Sequence, residues 1–184
     1  MGIFSKIFKM RKSYSPENFS YIIEIAELIS ENDCNVVKNL TKCIDDPFIY
    51  SEGMKNRFLE RGICVSPKET IDVDEICWIA LIEELSDNGF LSEIDYKCDL
   101  DEFLFAIKKL KKYPVIADSV QMINMHQSDD AETWIEAINM DLNGKAFIGM
   151  IDIDSDSYDI IIVTSDVYEK ISDIARMNGH KILP

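Results

Sequence analysis

Ala146-Phe147-Ile148-Gly149-Met150-Ile151-Asp152-Ile153, Asp154-Ser155-Asp156-Ser157 and Tyr158-Asp159-Ile160-Ile161-Ile162-Val163-Thr164 decide the fold. Two β-rich runs flank four short polar residues, the pattern of a hairpin whose side chains bond turn amides. Helical patterns lie on either side. Thr164 or Ser165 caps a helix that runs to Asn178 and ends at Gly179, and His180 to Leu183 adds an edge strand. Upstream, Asp129 or Asp130 opens a helix through Trp134, Ile135 and Ile138 that ends near Asn143-Gly144.

Further upstream, Asp99 and Glu102 form a capping box for a helix from Leu100 to about Lys112, closed by Pro114. Phe90 to Tyr96 alternates as a strand. Asp72 to Asn88 is the strongest helix, with Ile76, Cys77, Ile79, Ala80, Ile82 and Leu85 on a broad apolar face and Gly89 placed for a left-handed cap. Val115 to Met125 reads as part strand, part loop. The first half holds helices alone: one opened by Ser15-Pro16-Glu17, one from Val36 to Ile44 stopped by Asp46-Pro47, and one from Met54 to Arg61. The expected class is α+β, with a helical N-terminal half and a small, mostly antiparallel sheet with helices packed on one face. Residues 1–14 form a basic amphipathic segment and 15–184 a single domain, split into a helical portion over 15–65 and an α+β core over 70–184.

Charge is the strongest functional signal. Across 184 residues, 34 Asp and Glu face 19 Lys and Arg, a net −15. The first 14 residues carry Lys6, Lys9, Arg11 and Lys12 without an acid, so the remainder is more acidic still. Such a field repels nucleic acid and anionic lipid and draws cationic macromolecules in. The segment with Ile3, Phe4, Ile7 and Phe8 is too short for a signal peptide, and no apolar run suffices for stable membrane insertion. Cys34, Cys43, Cys64, Cys77 and Cys98 show neither a disulfide framework nor zinc spacing, which suits reduced thiols in a cytoplasm.

No catalytic set, metal site or cofactor motif stands out. The Asp152–Asp159 stretch lacks the glycine and the terminal Glu of a calcium loop, with Ser157 and Val163 in those places. His126 has no nucleophile motif beside it. His180 follows a helix C-cap, where a cation meets the negative helix end. The candidates left are exposed carboxylates: Asp72, Asp74, Glu75, Glu83, Glu84, Asp87, Glu93, Asp95, Asp152, Asp154 and Asp156 as a surface for a cationic partner.

Ile76-Cys77-Trp78-Ile79-Ala80-Leu81-Ile82-Glu83-Glu84-Leu85, Asn88-Gly89-Phe90, Glu93 to Lys97, Asp99 to Ala106, Ile151 to Tyr158 and Asn178-Gly179-His180-Lys181-Ile182 resemble the DUF6630 group of bacterial proteins over roughly residues 70–183. The resemblance implies a bacterial cytosolic protein and assigns no activity. The leading expectation is an immunity-type protein that binds and neutralises a cognate basic toxin domain, such as a nuclease, without catalysis. The alternative is a small-ligand protein or enzyme with a site near Trp78, Tyr96 and the Asp152–Tyr158 hairpin. An adaptor for another basic or hydrophobic partner is a third reading.

Overall fold

The hairpin forms as expected. In a computed structural model that describes residues 15–60, 72–153 and 155–184, β2 (Phe147–Asp152) pairs antiparallel with β3 (Ser157–Val163), Phe147 opposite Val163 and Ile151 opposite Asp159. β1 (Leu91–Asp95) adds to the far side of β3, and β4 (Lys181–Leu183) to the far side of β2. The sheet order is β1-β3-β2-β4, antiparallel throughout.

Helices cover both faces, not one. Successive side chains of a strand point to opposite sides. Ile161 and Val163 join Leu91, Ile151 and Ile182 in one core, while Ile160 and Ile162 join Ile94, Ile148 and Met150 in another. The first core is closed by α1 (Ser20–Ser30), α2 (Cys34–Asp45), α4 (Lys55–Glu60), α5 (Val73–Asp87) and α9 (Ser165–Met177). A short α3 (Pro47–Gly53) links α2 to α4. The second is closed by α6 (Leu100–Lys108), α7 (Ala117–Met122) and α8 (Ala131–Leu142). The unbroken run Ile160-Ile161-Ile162-Val163 is the physical cause: with both faces apolar, each needs a cover.

Local signals account for most boundaries. Asp33 and Asp46 each accept a backbone N–H at the starts of α2 and α3, so Pro47 ends one helix and begins the next. Pro16 starts a 3₁₀ turn over Pro16–Phe19 ahead of α1. The Asp99–Glu102 capping box is present at the head of α6, which stops at Lys108, short of Lys112. Gly89 takes φ +70° to release the chain from α5 into β1. Gly149 leaves room for the Tyr168 ring, which stacks on Phe147 at 4.0 Å; a Cβ there would lie 3.2 Å from that ring. The stretch 115–125 is a 3₁₀ turn and α7, with no strand. Gly62 and Cys64 lie outside the described residues.

α5 departs from an amphipathic pattern. Ile76 through Leu85 are all buried, because α1, α2 and α3 pack around one side and the sheet lies on the other. Two of those ten residues are Glu83 and Glu84.

Candidate functional site

Chain direction sorts the charges. α5 leads through Gly89 into the start of β1, so its first turn lies at the opposite end of the sheet, beside the hairpin. α6 follows the end of β1 and returns to Gly89, whose carbonyl accepts from Lys111 N–H at 2.9 Å. α8 also starts beside the hairpin, where Tyr158 Oη donates to Glu132 Oε1 at 2.7 Å. All three helices therefore begin at one end and finish at the other. Each begins on an Asp cap: Asp72 to Asp74 N, Asp99 to Glu102 N, and Asp130 to Thr133 N. Carboxylates favour helix N-termini and cations favour C-termini. Three helices laid in one direction thus bring the carboxylates at their heads to one end of the molecule; at their other ends only α6 carries a lysine, Lys108, in its last turn.

The acidic end gathers Asp72, Asp74 and Glu75 from α5, Asp95 from β1, Asp99, Asp101 and Glu102 from α6, Asp129, Asp130 and Glu132 from α8, and Asp152 and Asp156 from the hairpin. Its crowding is chemical as well as geometric. The hydrogen bond to Glu132, with partial burial and the charges of Glu132 and Asp130, pushes the Tyr158 phenol up to about 12. Burial first, then the charges of Glu102, Asp95 and Asp99, push the Cys98 thiol up. At the other end, Lys111 reaches Asp33 at 3.3 Å and Lys112 reaches Glu31 at 2.8 Å.

One cluster at the acidic end was not legible in the chain. Tyr21 Oη donates to Asp74 Oδ1 at 2.7 Å, and His180 Nε2 lies 2.9 Å from Asp74 Oδ2 and 2.9 Å from Tyr21 Oη. The His180 ring stacks on Trp78 at 3.9 Å and 6°, and Trp78 Nε1 donates to the Asp152 carbonyl at 3.2 Å. Lys181 Nζ sits 3.4 Å from Asp152 Oδ2. The bond from His180, opposed by burial and joined by the Tyr21 bond, holds Asp74 below its usual carboxylate range. Burial and the Asp74 bond push the Tyr21 phenol well up. With both Asp74 oxygens engaged, the set fixes an imidazole and ties the last strand to α1 and α5. Tyr21 lies 53 residues from Asp74 and 159 from His180, so no local spacing announces the set.

The expected partner-binding residues divide. Asp72, Asp74, Glu75, Asp95, Asp152 and Asp156 come together at the acidic end; Glu93 lies exposed along β1, and Asp154 is outside the described residues. Glu83 and Glu84 are not surface residues. They are 3% and 5% exposed, on the side of α5 that faces α2, α3 and α4. Glu84 accepts from Tyr50 Oη at 2.7 Å and from Asn39 Nδ2 at 2.9 Å. Burial, then the Glu84 bond and charge, push the Tyr50 phenol well up. Arg57 bridges Glu83 and Asp87, meeting Asp87 Oδ1 at 2.8 Å. Glu83 and Glu84 are thus committed inside the helical half, whereas Asp87 is exposed as expected and is paired with Arg57.

Trp78 and Tyr96 both meet the hairpin, at different places: Tyr96 N–H donates to the Asp156 carbonyl at 3.3 Å, whereas Trp78 reaches Asp152. His126 is exposed, and its carbonyl accepts from Trp134 Nε1 at 2.9 Å. Asp159, fully buried on β3, also escaped sequence reading. The described cysteines are free, and the Cys77 hydrogen bond and burial push the Cys43 thiol up. Among the described residues, no helix is long and apolar enough to cross a membrane.

A family model described as a domain of unknown function, DUF6630, matches residues 22–184. That match takes in the helical N-terminal half, which the motif resemblance over 70–183 did not. No curated protein and no solved structure matches the chain.

Proposed function

The chain belongs to the DUF6630 family, and from that premise we propose that it is a cytoplasmic immunity-type protein. It binds a cognate basic toxin domain through its acidic end and neutralises it without chemistry of its own. The observation that supports this reading is the alignment of α5, α6 and α8, which with β1 and the hairpin gathers carboxylates from five elements at one end while Lys111 and Lys112 pair at the other. A predominantly acidic surface steers a cationic partner into contact and competes with phosphate for its basic cleft.

The test is association of the purified chain with the toxin domain encoded beside its gene. The expected outcome is binding whose association rate falls steeply with ionic strength, together with loss of the toxin's activity. Failure to bind at any salt concentration overturns the reading.

A second reading, a small-ligand or enzymatic site, draws support from Tyr21, Asp74 and His180 held against Trp78. A metabolite that raises thermal stability in the wild type but not in His180→Ala would favour it.

A further inference from the structure

A groove beside the acidic end has no part in the arrangement above. It encloses about 610 Å³ between α8 and the end of β4, with Met140, Phe147, Met150 and Leu183 as apolar lining and Glu132 and Glu136 on its rim. Met140 is 71% exposed and Leu183 40% exposed. β4 is three residues long, and among the described residues no further strand pairs with its outer edge. The backbone edge there is already closed. Asn139 Nδ2 donates to the Ile148 carbonyl at 2.9 Å, and Ile148 N–H donates to Asn139 Oδ1 at 2.8 Å. That amide takes the place of a neighbouring strand, so an occupant cannot extend the sheet at Ile148 and engages through side chains.

We propose that this groove receives a basic amphipathic helix of the partner. Apolar side chains at i, i+3 and i+4 seat on Met140, Met150 and Leu183, and lysines or arginines from the helix flanks meet Glu132 and Glu136. Charge complementarity selects this occupant: the two rim carboxylates disfavour an acidic or purely apolar segment. Glu132, held by Tyr158, joins the groove to the acidic end, so one partner can engage both. The proposal rests on the cationic-partner reading and adds to it a place and a kind of segment.

The probe is a fluorescein-labelled synthetic helix of leucine and lysine, with a leucine–glutamate helix as control, titrated against the full chain. Binding of the lysine helix is expected, with amide shifts confined to 132–140, 147–150 and 181–183. Glu136→Lys and Met140→Asp, both at exposed positions, are each expected to weaken it about tenfold or more, close to 1.4 kcal/mol. Glu169→Lys, an equal charge change at an exposed position of α9, is expected to have a much smaller effect. Equal weakening by Glu169→Lys, or no binding, overturns the proposal. So does tighter peptide binding by the full chain carrying Phe4→Ser and Phe8→Ser, which makes the protein's own basic segment the occupant. Self-association abolished by Met140→Asp overturns it in favour of a second copy.

The toxin domain separates this proposal from the reading beneath it. If Asp156→Lys weakens toxin binding and the groove variants leave it unchanged, the groove proposal fails alone. If the lysine helix seats in the groove while the toxin domain does not bind, the neutralisation reading fails and the docking site stands.

Discussion

Asp74 and Glu84 stand about three turns apart on the same helix and hold opposite positions in the molecule. Asp74, in the first turn of α5, is half-buried at the open end of the sheet and shares a proton-bearing partner set with Tyr21 and His180. Glu84, near the last turn, is enclosed by α2 and α3 and spends both oxygens on Tyr50 and Asn39. Identical chemistry serves a surface in one place and the core in the other. What differs is the cover: the N-terminal helices wrap the far half of α5 and leave its start beside the hairpin.

The comparison breaks most sharply by truncation. Glu84→Ala strands a half-buried phenol and a half-buried amide and leaves a cavity where a buried side chain stood, and should lower unfolding free energy by about 2–4 kcal/mol in urea titrations. Glu84→Gln keeps the shape and one acceptor and should cost roughly half as much. A loss below about 0.5 kcal/mol for Glu84→Ala would show that this carboxylate is as dispensable as a surface one.

At the open end the expected loss is smaller. His180→Ala removes the stack on Trp78 and the bonds to Asp74 and Tyr21, for about 1–2 kcal/mol. Asp74 adds a pH signature. Its folded value lies below the ordinary carboxylate range, so its contribution is complete above about pH 4 and is lost as pH falls through that lower value. Asp74→Asn should flatten this part of the acid-unfolding curve, whereas an unchanged acid limb would deny the pairing. Tyr158→Phe should cost less still, under about 1 kcal/mol, since its bond to Glu132 is exposed. Glu132→Gln should bring the phenol back toward its ordinary value of about 10 in a spectrophotometric titration.

These contrasts explain what the sequence disclosed. Caps and turns were legible because each is a short-range bond: Asp99 to Glu102, Asp130 to Thr133, Gly89 at positive φ. The sheet's second helical layer was missed, since helices were expected on one face; its cause is the unbroken Ile160–Val163 run, which leaves both faces of that strand to be buried. The depth of Glu83 and Glu84 was not. A glutamate pair on a helix normally marks a solvated face, and only Tyr50, Asn39 and Arg57, brought from α2, α3 and α4, make burial tolerable. The Tyr21–Asp74–His180 set depends likewise on three distant segments meeting. The acidic end lay between these cases: its residues were visible, and their convergence followed from helix directions that the topology supplies.

The smallest expected effect on stability carries the most functional weight. Glu75→Lys and Asp156→Lys change exposed side chains at the acidic end, and each should leave unfolding free energy within about 0.5 kcal/mol of wild type. Their effect belongs to association. If a cationic partner is drawn in by the field of this end, the pair together should slow association about tenfold at low ionic strength, and the difference should fade as salt is added. Stopped-flow rates at several salt concentrations measure both. Equal rates for variant and wild type would mean that the carboxylates at the heads of α5, α6 and α8 serve their own helices and nothing beyond them.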